Sequence, residues 1–240
     1  MRLVIALTGA LLLATLAACD EGDNIKSNEI VEAIPWAASE TAVYRVLDDD
    51  DDEVGTLEMS IEQGGDTYVL RQYFEFPEDD FVNDAVVVVD AATLMPLTTD
   101  YSIEGPEGDI TCEAVYDGGI VRVHNVRTDG ERDDDLDIPV QRYDSWSDLF
   151  IWRTIDFSQG YDVEYADVVA CQSPAPPDLI GTKLEVTGGE VIDVPAGTFD
   201  TWKVEIDAIR DQDAWFTTDE AHTLVKYDNG EVLFELIEAP

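Results

Sequence analysis

From Thr41 onward, apolar and polar residues alternate with a period of two. Leu57, Met59 and Ile61 alternate with Glu58, Ser60 and Glu62, while Tyr68, Leu70, Phe74 and Phe76 fall on one parity. Val121 and Val123 alternate with Arg122 and His124. Trp202, Val204, Ile206 and Ala208 alternate with Lys203, Glu205 and Asp207. Successive side chains of a strand point to opposite faces. The pattern therefore predicts strands with one buried and one wetted face, the habit of antiparallel sheets. Turn formers separate them at short intervals: Gly64-Gly65-Asp66, Gly105-Pro106-Glu107-Gly108, Asp117-Gly118-Gly119, Asp129-Gly130, Gly188-Gly189 and Asp228-Asn229-Gly230. About a dozen strands follow from these signals.

One segment breaks the alternation. Asp144 can cap a helix, and Trp146, Leu149, Phe150 and Arg153 follow at helical spacing. The Pro-rich stretch 173–177 reads as an extended loop. The expected fold is mostly β: a single curved antiparallel sheet, a half-barrel over residues 41–240, with one short helix against its concave face.

The N-terminus has a different character. Residues 1–18 carry one positive charge at Arg2, then an apolar stretch, then the small residues Ala17 and Ala18 before Cys19. This is the composition of a secretory signal peptide, and the apolar stretch falls short of the roughly 20 residues that span a bilayer. Leu16-Ala17-Ala18-Cys19 resembles the lipobox of bacterial lipoproteins, in which the cysteine is lipidated and becomes the first mature residue. Residues 19–40 would then be the lipidated cysteine and a polar tether. The chain would be exported and lipid-anchored to the cell envelope, on its periplasmic or extracellular face, with the membrane as a partner.

Charge narrows the partners further. Asp and Glu number 54 against 13 Lys and Arg, a formal charge of −41. Nucleic acid is excluded as a partner, since phosphate contacts need the opposite sign. With 45% hydrophobic residues the chain has material for a core, so the acidity does not imply disorder. It fits a salt-adapted surface, because self-repulsion is screened within roughly 3 Å near 1 M salt. The acidic runs at 48–53 and 133–135 lack the spacing of a calcium loop, and they read as solvated hairpin tips.

With Cys19 assigned to lipid, Cys112 and Cys171 remain, able to pair in an oxidising compartment or to sit apart as buried thiols. His124 and His222 are the only histidines, too few for a zinc site. No catalytic elbow, nucleotide loop or metalloprotease motif is present. The expectation is a protein that is not an enzyme and needs no cofactor or metal. A hydrolase would show itself by a cluster of perturbed carboxylates in a cleft. Trp146, Phe150, Trp152, Trp202, Trp215 and Phe216 gather on the helix and the last strands, where the first reading of any one of them is ordinary core; the candidate ligand-cavity residues are Trp146, Phe150, Trp202 and Trp215, joined by Arg153. Arg153, within the apolar run 149–152, needs a buried carboxylate partner, with Asp156 nearest in sequence.

The order of local motifs carries a resemblance. Residues 90–97, the helix entry 143–145, residues 153–157, the segment 190–203 with Val194-Pro195-Ala196-Gly197-Thr198-Phe199, and residues 214–219 follow one another. This series resembles an uncharacterised family of exported bacterial proteins, a domain of unknown function whose fold is related to the lipoprotein carriers LolA and LolB. The resemblance implies a half-barrel whose hollow can hold acyl chains, and it implies no catalytic residues. The leading functional expectation is a cell-envelope lipoprotein that binds a lipid or other hydrophobic ligand. The alternatives are an envelope interaction module with a filled core, and a hydrolase.

Overall fold

The computed structural model describes residues 25–106, 108–171 and 175–240. Residues 1–18, expected as a signal peptide, Cys19, the head of the expected tether and part of the Pro-rich loop lie outside the described residues. The strands are β1 (Ser39–Leu47), β2 (Glu53–Gly64), β3 (Thr67–Phe76), β4 (Phe81–Asp90), β5 (Pro96–Glu104), β6 (Ile110–Asp117), β7 (Ile120–Arg127) and β8 (Gly130–Asp137). They continue as β9 (Tyr143–Asp144), β10 (Asp162–Val169), β11 (Asp178–Val194), β12 (Gly197–Asp207), β13 (Asp211–Thr217), β14 (Leu224–Asp228) and β15 (Leu233–Glu238). All join one curved, unclosed sheet of 15 strands in the order β8-β7-β6-β5-β4-β3-β2-β1-β15-β14-β13-β12-β11-β10-β9. Every ladder is antiparallel except the two-residue pairing of β9 with β10.

The period-two pattern decides which face is inside. Leu57, Met59 and Ile61 on β2, Leu70 and Phe74 on β3, and Val204 and Ile206 on β12 are buried. Their polar neighbours are wetter. The sequence undercounts strands mainly at the margins. Residues 133–135, read as a hairpin tip, lie inside β8, which pairs with β7 along its length. An edge strand open to water needs no apolar parity, and its charges oppose pairing with another chain. The turn between β11 and β12 follows the local chemistry of its residues. Val194 pairs with Gly197, which takes φ +140°, and Phe199 packs against the core.

The helical segment comprises α1 (Asp148–Ile151) between two 3₁₀ turns, Ser145–Ser147 and Trp152–Thr154. Asp144 caps its start, its carboxylate accepting from the Trp146 amide at 2.8 Å. Leu149, Phe150, Ile151 and Trp152 join the main core with residues from both flanks of the sheet. The helix therefore lies inside the curve.

Two devices hold the curve. Cys112 on β6 is disulfide-bonded to Cys171, just past β10, with Cα atoms 5.7 Å apart. The strand order puts β6 and β10 near opposite margins of the sheet, so this bond ties the margins together. A small second core gathers around it, including Tyr101, Ala114, Val123 and Val168. The second device is the chain before β1. Of the stretch expected as a tether, residues 25–38 lie packed on the domain. Asn28 Nδ2 donates to the Glu164 carbonyl at 2.7 Å, on the part of β10 beyond its pairing with β9. Ile30 and Trp36 are buried, and the Glu32 amide donates to the Thr154 carbonyl at 2.8 Å.

Candidate functional site

The strand register sorts the hairpins into two ends. The β2–β3, β4–β5, β11–β12 and β13–β14 turns share one end, and the β1–β2, β3–β4, β12–β13 and β14–β15 turns share the other. The first end is plugged. Trp36 lies edge-on to Tyr68, with ring centroids 5.8 Å apart. Arg153 stands over the Trp36 ring at 5.5 Å and donates to the carbonyls of Ala221 and His222 at 2.9 and 3.1 Å. Its ion-pair partner is Glu40, with the two side chains only 6% and 13% exposed. Asp156, the partner expected from the sequence, is exposed; Glu40 instead comes from the start of β1, a neighbour that only the fold supplies.

The second end is open. It leads to a cavity of about 480 Å³ between the helical segment and the sheet. Its apolar wall includes Phe74, Phe76, Phe81, Trp146, Trp152 and Phe234. This volume lies in the range of small-molecule sites, which are apolar cavities with a few placed polar groups. Trp146 is fixed at the wall. Its indole stacks on Tyr101 at 4.9 Å, its Nε1 donates to the Cys171 carbonyl at 3.0 Å, and its own carbonyl accepts from Gln72 Nε2 at 2.7 Å.

The other cavity candidates lie elsewhere. Phe150 is enclosed in the core, and Trp202 packs against that core without lining the cavity. Trp215 pairs across strands with Lys203, on the parity opposite Val204 and Ile206. On that face its ring lies 5.6 Å from the Lys203 Nζ and 5.2 Å from the Lys226 Nζ. Arg153 is spent at the plugged end.

The polar groups of the cavity are ones that sequence reasoning passed over. Asp148 on α1 and Asp167 on β10 both line it, and both are buried, Asp167 to 2% exposure. The Tyr165 hydroxyl accepts from Trp152 Nε1 and donates to Asp148 Oδ1, each at 2.8 Å. Thr182 Oγ1 donates to Asp167 Oδ2 at 3.3 Å. Burial and the neighbouring Asp167 hold the Asp148 carboxyl well above the usual carboxylate range. Burial and the charge of Asp144 push Asp167 up to about 7. Two carboxyls in one low-dielectric site cannot both ionise cheaply, so near neutrality the pair retains protons. Asp144 behind them is also raised by burial, although Tyr116, Thr99 and the Trp146 amide all donate to it and pull the other way. One sequence signal was available: Asp167 interrupts an otherwise apolar run from Tyr165 to Cys171, and a buried acid inside such a run needs a reason. Among the described residues, no three His, Cys, Asp or Glu side chains gather as a metal site.

Fold and site together define a β half-barrel with one plugged end and, at the other, a ligand-sized cavity. The chain belongs to the family of proteins of unknown function DUF3108, whose model matches residues 42–233. Among solved structures it is similar to the beta-barrel-like protein of domain of unknown function DUF1849 from Brucella abortus. The two share 13% identity and a TM-score of 0.56 over 87% of this chain and 99% of that one. It also matches a candidate exported protein with a YmcC-like fold from Bacteroides fragilis, at 12% identity and a TM-score of 0.30, over 88% of this chain and 99% of that one. No curated protein matches the chain significantly. The likeness to the Brucella abortus protein shows a barrel-like fold.

Proposed function

We propose that this protein is a non-enzymatic lipoprotein of the cell envelope, anchored through Cys19, that holds a lipid or other hydrophobic ligand in the open end of its half-barrel, in the manner of the carriers LolA and LolB. The observation that carries this reading is the cavity itself, a 480 Å³ space walled by aromatic side chains in a fold whose other end is filled. Apolar surface in an open cavity gains about 25 cal/mol per Å² when a ligand covers it.

The hydrolase reading has one observation in its favour, the raised carboxyl pair Asp148 and Asp167 in a cleft. Catalysis by such a pair also needs donors aimed at the charge that develops on substrate. Here the Gln72 side-chain amide, which could donate into the cavity, is committed to the Trp146 carbonyl. Binding accounts for the lining better than bond cleavage does.

The test uses the full chain carrying Cys19→Ser, exported from a bacterial host and purified in high salt, with native mass spectrometry followed by solvent extraction. The expected result is a stoichiometric lipid adduct that is lost on Trp146→Ala in protein that remains folded. A clean mass, unchanged after incubation with envelope lipids, would overturn the reading and leave an interaction module.

A further inference from the structure

Five buried side-chain polar atoms lack a hydrogen-bond partner among the described residues: Trp36 Nε1, Arg142 Nε, Asn83 Oδ1, Ser145 Oγ and Asp167 Oδ1. The last three belong to residues that line the cavity at the open end, and all three are oxygens. A buried acceptor without a donor costs about 1–3 kcal/mol. A proton held by Asp148 serves Asp167 from within the chain, but no described residue donates to the Asn83 and Ser145 oxygens of the same cavity, and these call for a donor from outside. Asp167 is the most deeply buried of the three residues, held by β10 and its neighbour β11.

The mouth has the matching charge. Residues 48–52, all aspartate, form the β1–β2 turn, and Glu78, Asp79 and Asp80 lie in the β3–β4 turn. Glu231 stands in the β14–β15 turn, paired at 2.6 Å with Arg210 from the β12–β13 turn. The plugged end carries only Asp66, Asp219 and Glu220 in its corresponding turns. A cleft whose rim carries a large excess of one sign of charge concentrates ligands of the other sign.

Resting on the cavity reading above, we propose that the ligand is an amphiphile with a primary ammonium head, seated against Asp167, Asn83 and Ser145, with its tail along the aromatic wall. An ammonium offers three donors and no acceptor, so it can replace the proton at Asp167 and donate to the Asn83 and Ser145 oxygens as well. A hydroxyl head offers one donor. A carboxylate head offers only acceptors, and it would meet both the acidic rim and the carboxyl pair. The titratable groups facing the pair are Asp144 from β9, Tyr116 from β6, Tyr165 from β10 and Tyr227 from β14. These four are acids, and the one cation lining the cavity among the described residues, Arg210, is paired with Glu231 at the rim. An arriving ammonium therefore displaces the Asp167 proton to solvent and pairs with the carboxylate. Its affinity therefore rises with pH as Asp167 ionises.

The test titrates the full chain carrying Cys19→Ser with decylamine, decanol and decanoate, following Trp146 and Trp152 fluorescence. Salt near 1 M screens the outer surface within roughly 3 Å. The expected order is decylamine tightest and decanoate weakest, with the amine ahead of the alcohol by about tenfold, one charge-assisted hydrogen bond's worth. Asp167→Asn should remove most of that tenfold advantage of the amine over the alcohol. On the unsubstituted cavity, decylamine affinity should rise by up to about tenfold per pH unit below the Asp167 pKa, whether or not the variant folds. Equal binding of all three probes, or a flat pH profile for decylamine, would overturn the head-group assignment and leave the cavity reading standing. Binding of none of them would instead overturn the cavity reading, and this inference with it.

Discussion

At the end of the half-barrel where Trp36 meets Tyr68, inward-facing side chains touch one another and a buried Arg153–Glu40 pair seals the layer. At the end where β3 turns into β4, side chains of the same inward parity face a cavity, and the turns around it are crowded with aspartate. The strands are shared, so the alternation that builds one end builds the other. What differs is the cover. The segment 25–38 folds back over the first end and contributes Ile30 and Trp36 to its core. Only charged turns rim the second. An alternating strand specifies which side chains face inward, and a remote piece of chain decides whether they meet protein or a ligand.

The strongest way to break the comparison is to unseat the plug. Arg153→Ala leaves Glu40 as a buried charge without its cation, and loss of one partner of a buried pair costs about 3–5 kcal/mol. Chemical denaturation should register a loss of that size. Hydrogen exchange should accelerate first at the β13–β14 turn, whose Ala221 and His222 carbonyls lose their donor. An unchanged midpoint would mean that the plugged end does not need its ion pair.

The disulfide comes next. Cys112 and Cys171 are 59 residues apart in sequence, and the link between them constrains the unfolded chain. Replacing both with alanine should cost about 2–4 kcal/mol by denaturant titration. The loosening should fall on the open end, because Trp146, which lines the cavity, donates to the Cys171 carbonyl. A tryptophan spectrum unaltered by the double substitution would show that the cavity wall does not depend on the tied margins.

The contrast between the ends also marks how far the sequence could be read. The sheet, the parity of its strands, the Asp144 cap and the turn at Gly197 were legible, because each depends on neighbours within a few residues. The ion pair was misplaced for the opposite reason. Arg153 lies 113 residues from Glu40, and local reading offered the exposed Asp156. Of the aromatic candidates, Trp146 alone lines the cavity, since composition separates neither an inward tryptophan from the outward Trp215 nor an enclosed Phe150 from a lining side chain. The acids posed the hardest problem. Asp148 and Asp167 are two among 54, and burial distinguishes them from the rest only once the sheet has curled.

The smallest effect concerns those two residues and tests the open end without touching the plug. Asp167 is raised to about 7 and Asp148 is raised as well, so the folded protein keeps protons that the unfolded chain has released. Stability contributed in this way is fully present below the ordinary carboxylate range, near pH 4, and is lost as pH rises through the folded values. Thermal melts in high salt should therefore show the melting temperature falling by several degrees between about pH 5 and pH 7.5, a range over which ordinary carboxylates are already ionised. His124 is raised by its hydrogen bond to Asp133, and its linkage has the same sign, so His124→Gln serves as the control. Asp167→Asn should flatten most of the remaining slope, because an amide has no proton to lose. A slope that survives Asp167→Asn intact would place the titrating groups elsewhere and remove the buried pair as the feature that distinguishes the open end.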